Sequence, residues 1–444
     1  MSSITIASPT KTEWKVYQKI GLRFFFIYFV LLAVPLDYKF YLQLFSIDWF
    51  HLKFYDLFQL TRYTPQFFGI IGLGNWAIAA LIALVGTVVW SYSRYKNLDY
   101  DKLHYWLRVI LRYRLAIGII GYGLIKLFPL QMPFPSLSNL HTNYGDFYGW
   151  KIYFHTQGIA QGYEAFLGAV EIVAGFLLFF RRTTTFGAGI ILGFLGNVFA
   201  ANLAYNIGEQ VYSAYLVSLA LFLFIYDVPR LYSLLALERF TKANRFQPVL
   251  SKPVLRQVRL ALKTAFVLFV AVLSFTTYAN YTSAPYKLPQ TPGIRNSYGF
   301  YNVREFKLNN QVIPYSTTHP ERWQNVIFEK WATISIKTAK PIRIDSSTGD
   351  EFHFKDVSRN FESAGLGGRR YFAYQPDTVN HLLVLQNKNQ HHQNEKFRLK
   401  YQFLNDSTLV VRGVNEKQDS VYAVLDRIEK KYMLLEGRRK PVKL

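Results

Sequence analysis

The sequence predicts an α-helical polytopic membrane bundle with seven transmembrane helices, followed by a small antiparallel all-β extramembrane domain. Three observations lead there. Several uncharged runs reach the length of about 18 apolar residues that a bilayer crossing needs. Lysine and arginine fall in alternate loops between those runs. Beyond residue 297 the apolar period changes from that of a helix to that of a strand. The chain has 444 residues, 51% hydrophobic and 18% aromatic, and its mean hydropathy of +0.07 averages two unlike parts. Both parts are basic, with 25 Lys plus Arg against 12 Asp plus Glu up to Ala284 and 26 against 16 after it, which together give the net charge of +23.

The seven spans read as Ile20–Pro35, Phe67–Trp90, Tyr105–Phe128, Gln157–Phe180, Thr184–Tyr205, Val211–Tyr226 and Leu260–Tyr278. Trp90, Trp106, Tyr226 and Tyr278 lie where amphipathic rings prefer the headgroup level. No small-residue cleavage site follows the first span, so it reads as a retained anchor. With the N-terminus inside, the cytoplasmic loops hold 15 basic residues: Lys11, Lys15, Lys19, Arg94, Lys96, Lys102, Arg181, Arg182 and seven from Arg230 to Arg259. The opposite side holds only Lys39, Lys53, Arg62 and Lys151. That asymmetry predicts an inner-membrane protein with a cytoplasmic N-terminus and a periplasmic C-terminal domain. Topology and anionic lipid headgroups account for the positive charge, and no nucleic-acid motif is present.

The division expected along the chain is a transmembrane domain over 1–283, a Pro-rich linker over 284–297 carrying Pro285, Pro289, Pro292 and Gly293, and a β-barrel or sandwich over 298–444. In the last part Ala332, Ile334 and Ile336 alternate with polar residues, as do Phe397, Leu399, Tyr401 and Phe403. Asn405–Ser407 turns the chain before Leu409–Val411, and Val421–Leu425 and Tyr432–Leu435 read as further strands, for six to eight in all. Two outer segments stand apart. Asp37–Gln66, with aromatics scattered among charges, reads as an interfacial amphipathic helix. Gln131–Thr156 is an aromatic loop holding His141 and His155, either a structural cap or a functional lid.

Chemistry is constrained mainly by what is missing. The chain has no cysteine, which removes thiol catalysis, disulfides and iron–sulfur ligation. No haem is expected, because His104 alone lies near a span. Gly365–Gly368 reads as a mobile turn rather than a nucleotide loop, and His391-His392 as solvated rather than metal-bound.

Charges inside spans are costly and mark function by default. The third span carries Arg112, Arg114 and Lys126, and the fourth carries Glu164 and Glu171, seven residues apart and so on one helical face. Counting depth at about 1.5 Å per residue from the outer span ends pairs Arg114 with Glu171 at mid-membrane and Lys126 with Glu164 nearer the outside. Asn75, Asn197 and Asn202 would complete the hydrogen bonding. Such pairs either fasten helices or line an outer-facing polar cavity.

The run Arg114-Leu-Ala-Ile-Gly118, then Lys126, then Glu171, Gly175, Leu177, Leu178 and the Arg181-Arg182 turn resembles the DoxX-like membrane family over about Arg108–Pro229. The resemblance implies a four-helix core over about 105–229. The family includes proteins described as subunits of a thiosulfate:quinone oxidoreductase, so it also implies a quinone-linked oxidoreductase or a membrane subunit of one, with quinone as cofactor and Lys126, Glu164 and His155 near the ring. The alternative is a non-enzymatic accessory or assembly subunit that presents its β-domain to an envelope partner. A vitamin-K-carboxylase-like enzyme shares the layout only.

Overall fold

A computed structural model describes residues 13–67, 72–93, 98–241, 246, 248, 252–283 and 285–437. It divides into two compact units, the first made of Met1–Phe128 and Gly162–Tyr281 and the second of Pro129–Gln161 and Thr282–Leu444.

The first unit is helical: α1 (Val16–Ala33), α2 (Tyr38–Ser46), α3 (Phe54–Thr61), α4 (Leu73–Tyr92), α5 (Tyr100–Leu127), α8 (Gln161–Leu177), α9 (Thr184–Ala204), α10 (Gln210–Ile225), α11 (Val228–Leu235) and α12 (Pro253–Ser283). Each segment read as a span contains a helix among the described residues, but length and composition do not support seven crossings. Four helical stretches are long and apolar enough to cross a membrane, Val16–Ser46, Leu73–Tyr92, Thr184–Ala204 and Pro253–Ser283, and a fifth is added if α10 and α11, bent by 60°, form one span. Besides α10, which at 16 residues passes only together with α11, the helices that fall short are the two with internal charges: α8 is only 17 residues long, and α5 carries Arg108, Arg112, Arg114 and Lys126. The segment expected as one amphipathic helix over Asp37–Gln66 is two short helices. One of them, α3, buries Phe54, Leu57 and Phe58.

The centre of this unit is α5, whose Leu107, Leu111, Leu115, Ile119 and Ile120 are buried. A helix covered by protein on most sides needs no lipid-compatible surface, so its composition can depart from that of a span. Glycines set how closely its neighbours approach. A Cβ on Gly168 of α8 would sit 2.3 Å from the Leu127 nitrogen and 2.4 Å from the Gly123 oxygen of α5, both backbone atoms. On α9 a Cβ at Gly187 would meet the Ala174 carbonyl at 2.9 Å, and on α5 one at Gly118 would meet Leu216 of α10 at 3.0 Å. α5, α8, α9 and α10 thus pack into a four-helix group. At the other extreme, only 11% of the apolar window of α12 is buried, leaving Leu262, Val267, Leu268 and Phe275 exposed.

The second unit contains α6 (Leu137–Leu140), α7 (Gly149–Gly158), nine strands and a final turn of helix α13 (Met433–Glu436). The strands are β1 (Gly299–Leu308), β2 (Gln311–Val312), β3 (Asn325–Phe328), β4 (Thr333–Lys337), β5 (Arg370–Asp377), β6 (Leu382–Asn387), β7 (Lys396–Phe403), β8 (Thr408–Asn415) and β9 (Ser420–Ile428). Each pairs antiparallel with the next in the order β2-β1-β3-β4-β5-β6-β7-β8-β9, and β9 returns to β1, closing an eight-stranded barrel with β2 as a hairpin on β1. That hairpin turns at Asn309 and Asn310, both at positive φ as a two-residue turn of this twist requires. Tyr301, Phe306, Trp323, Phe328, Phe372, Leu385, Leu399 and Leu409 fill the interior, as expected for a barrel of this strand number. Tyr432–Leu435, read as a strand, is a loop residue followed by α13: β9 already pairs with both β8 and β1, which closes the barrel before this segment is reached.

Two boundaries move. Residues 129–161 belong to the barrel unit rather than to a continuous domain 1–283. The Pro-rich stretch is also built into this unit: Gly293 donates to the Lys330 carbonyl at 2.9 Å, the Thr291 carbonyl accepts from Ala332 at 2.8 Å, and Ile294 is buried.

The α5–α8 crossing is directly testable. Gly168→Ala should cost about 1–3 kcal/mol, because the added methyl meets backbone that cannot move aside. Gly193→Ala in α9, where nothing lies within 4 Å of the new Cβ, should be neutral or gain up to about 1 kcal/mol. Thermal unfolding of both variants in detergent distinguishes them, and equal melting temperatures would remove the tight crossing.

Candidate functional site

The crossing at Gly123 and Gly168 brings Lys126 of α5 onto Glu171 of α8. Lys126 Nζ forms an ion pair with Glu171 Oε1, and both residues are buried, at 6% and 1% exposure. Glu171 Oε2 is buried with no hydrogen-bond partner among the described residues. The Lys126 ammonium also lies 6.0 Å from the centre of the Phe194 ring.

This corrects both expected pairs. Arg114 does not meet Glu171; its Nη1 donates to the Thr61 carbonyl at 3.1 Å and its Nη2 to the Tyr63 carbonyl. Those carbonyls end α3, where a helix leaves acceptors without intrahelical donors. The Tyr212 hydroxyl also donates to the Thr61 oxygen, at 3.0 Å, and Gly121 leaves room for the Thr61 side chain. Two features of the fold keep Arg114 and Glu171 apart. Arg114 and Lys126 are twelve residues apart, which is about 120° around the helix, so they face different neighbours. Residues 149–158 form a separate helix and α8 starts at Gln161 rather than Gln157, so the depth of Glu171 is measured from Gln161. Nor does Lys126 pair with Glu164, which is buried at 1% exposure nearer the start of α8.

The asparagines serve elsewhere. Asn202 donates to the Ser213 hydroxyl at 3.0 Å, joining α9 to α10. Asn75 accepts the Phe67 amide at 2.7 Å, and Asn197 is exposed. Only Lys126 and Glu171, among the residues proposed for an intramembrane site, touch each other.

His141 and His155 lie in the second unit, within a segment that acts as part of the barrel wall. The outer face of β4 and β5, carrying Thr333, Ser335 and Tyr371, is as buried as the inner one. α6 supplies the cover. Glu329 accepts the Ser138 amide at 2.7 Å, the Ser138 hydroxyl at 2.6 Å and the Leu137 amide at 3.2 Å. Ser138 Oγ is 2.7 Å from Ser335 Oγ, which accepts from Arg369 Nε at 2.9 Å. Beside it Glu362 takes Lys388 at 2.5 Å, the Trp331 indole at 2.6 Å and the Thr333 hydroxyl at 2.8 Å. Burial and the neighbouring Glu362 push the Glu329 carboxyl up to about 7. His141 stacks on Phe300 at 3.9 Å and shares a hydrogen bond of 2.7 Å with Tyr432. Lys151, fully buried, donates to the Phe361 carbonyl and lies over the Phe361 ring, and burial holds its amine well below the ordinary lysine range.

Residues 129–161 are therefore anchored, and of the two readings the structural cap fits. Gly365, expected in a mobile turn, sits at positive φ under Trp150, and Gly367 donates to the Asp146 carbonyl at 2.8 Å. His392 accepts the Arg343 amide at 3.0 Å, and no cluster of three metal-ligating side chains occurs among the described residues. Sequence reasoning missed Lys151, Glu329 and Glu362. Their signal was slight: ionisable residues next to strand ends, indistinguishable from solvated ones without knowledge of what covers the sheet.

Two measurements test this geometry. Glu171→Gln should cost about 3–5 kcal/mol by leaving a buried ammonium without its counter-charge. Combined with Lys126→Gln the losses should fall well short of additive, whereas with Arg114→Gln they should add within about 0.5 kcal/mol; the reverse pattern would restore the Arg114 pairing. Burial also lowers His141 to about 4 and His155 to about 3, and both His155 ring nitrogens are buried without a hydrogen-bond partner among the described residues. Folded-state values below the unfolded value of 6.5 mean stability that is complete above pH 6.5 and lost as pH falls through about 4 and about 3. His155→Phe should flatten that acid limb in pH-dependent melting; an unchanged limb would show His155 to be solvated.

No family model, curated protein or solved structure matches this chain.

Proposed function

We propose that the chain is an accessory or assembly component of a membrane system, holding a β-barrel on the outer side of an inner membrane for a protein partner in the envelope. The observation that carries this is the barrel itself. Its interior is filled by its own side chains and the outer face of β4–β5 is sealed by α6, so its exposed surface is what remains to bind. A packed barrel is a scaffold for recognition rather than a ligand container.

The seven-crossing topology belongs to the same reading. Residues 129–161 and Thr282 onward fold into one unit, and a unit folded from two segments lies on one side of a membrane. The chain between them must then cross an even number of times, and α8, α9, α10 and α12 supply four crossings. Counting α1, α4 and α5 before them gives seven, with the basic loops on the N-terminal side. The DoxX-like resemblance supports the same core, since α5, α8, α9 and α10 are the helices it covers.

A second reading has a specific observation in its favour. A carboxylate with one oxygen on Lys126 and the other unsatisfied in the bundle suits a proton carrier beside a quinone, the role a quinone-linked oxidoreductase or its membrane subunit needs.

Reporter fusions test the topology: one placed after Leu444 should be active only outside the cytoplasm and one in the 238–253 loop only inside, and reversed activities would overturn it. Purification of the full chain in mild detergent then separates the two functions. A stoichiometric envelope protein in the eluate supports the accessory role. A monomer that carries quinone and turns it over, with turnover lost in Glu171→Gln, overturns that role in favour of the oxidoreductase.

A further inference from the structure

One cluster of ionisable groups in the helical unit is absorbed by neither reading. Arg112 of α5 is buried at 9% exposure, and its Nε donates to the Leu178 carbonyl at 2.8 Å, an orphan acceptor at the end of α8. That is its only hydrogen bond among the described residues. One turn away, Arg108 stacks over the Tyr226 ring at 3.7 Å, and its Nε is buried with no hydrogen-bond partner among the described residues. Cations surround both. Arg108 and Arg181 act on Arg112, and Arg112 and Arg259 act on Lys263 of α12. Two carboxylates lie near: Asp227, which is 3.8 Å from Arg108 and already accepts the Thr185 hydroxyl, and Asp101, which faces the same Tyr226 ring.

Packing fixes the position of this cluster. α12 docks on α5 and α8 through an aromatic trio, with Tyr113–Phe266 at 5.0 Å and Phe179–Phe266 at 5.1 Å, directly beside Arg112 and Lys263. Measured from the opposite ends of α5 and α12, Arg112 lies roughly 22 Å and Lys263 roughly 30 Å along, against a hydrocarbon core about 30 Å thick. Lys263 thus falls at the edge of one leaflet and Arg112 roughly 8 Å below it, a depth from which a long basic side chain reaches toward the headgroups, and the exposed members Arg259 and Lys263 stand beside the outward-facing apolar side chains Leu260 and Leu262.

We propose that Arg108, Arg112, Arg259 and Lys263 bind the phosphate of an anionic phospholipid of the cytoplasmic leaflet, its acyl chains lying along the exposed face of α12. Three features select that ligand. Among the described residues the cations outnumber the carboxylates, which leaves the cluster net positive. Planar guanidinium groups suit phosphate oxygens. The apolar surface of α12 suits hydrocarbon and not a soluble anion. The inference rests on the reading of α5 and α12 as crossings; the reporter fusions decide that separately, so failure of one is not failure of the other.

The test uses the full-length protein in mild detergent, examined by native mass spectrometry with phosphatidylglycerol, phosphatidylcholine and inorganic phosphate as probes. Phosphatidylglycerol should be retained over phosphatidylcholine, and Lys263→Gln should weaken that preference about tenfold, the effect of removing one charged contact. Because Lys263 is exposed, its variant should melt like the parent without lipid, and Arg112→Lys should keep partial retention. Equal retention of the two lipids, or an unchanged preference in Lys263→Gln, would overturn the site. Displacement of phosphatidylglycerol by inorganic phosphate at comparable concentration would reassign it to a soluble anion and overturn the lipid proposal.

Discussion

The helical unit depends on one close approach, the backbone contact of α5 with α8 at Gly123 and Gly168. With no Cβ on either residue the two helices meet at main-chain distance, and that meeting sets their register. Everything polar on this face follows from it. Lys126, three residues after Gly123, extends its long stem back across the crossing to Glu171, three residues after Gly168. Moving back along α5 to Arg112 moves forward along α8 to Leu178, whose carbonyl Arg112 takes. Gly175 fits against Ile119 and Ile120 between these points. A side chain at Gly168 would push the helices apart and lengthen all three contacts together.

The barrel unit answers a different constraint. A closed barrel buries one face of each strand and leaves the other polar, which is the alternation the sequence carries at Thr333–Lys337. Here the polar face of β4 and β5 is covered as well, so Thr333, Ser335, Glu329, Glu362 and Arg369 must satisfy one another and α6. They do so through bonds to Ser138, Trp331, Lys388 and Asn325. Burying ions is costly unless each finds partners, and a network that is complete only when residues 129–161 are in place ties that segment to the sheet.

What was legible in the sequence follows from how far each signal reaches. The strands from Thr333 and Lys396 announce themselves by alternation within five to eight residues, and the spans by composition over about eighteen; both are local. Arg114, Lys126 and Glu171 were correctly singled out as buried charges, since their cost is local too. Their pairing was not legible, because it depends on register, which rests on a glycine crossing and on the start of α8 at Gln161. The cap role of Ser136–Asn139 lay further out of reach: Ser138 meets Glu329 across nearly two hundred residues of sequence. The capping box at Ser136 and Asn139 signals a helix start but not what the helix covers.

The two ends of α5 accommodate their charges in different ways. Near one end the protein supplies both members of the ion pair, Lys126 and Glu171, and nothing from outside is needed to balance them. Fourteen residues earlier, roughly 21 Å away, Arg112 is given a carbonyl but no carboxylate, and Arg108 shares Asp227 with Thr185. A guanidinium keeps its charge, so this part of α5 stays net positive among the described residues. α5 is therefore too polar to count as a span on its own composition: near one end its charge is neutralised by Glu171 from within the fold, and towards the other a guanidinium is held by a backbone carbonyl.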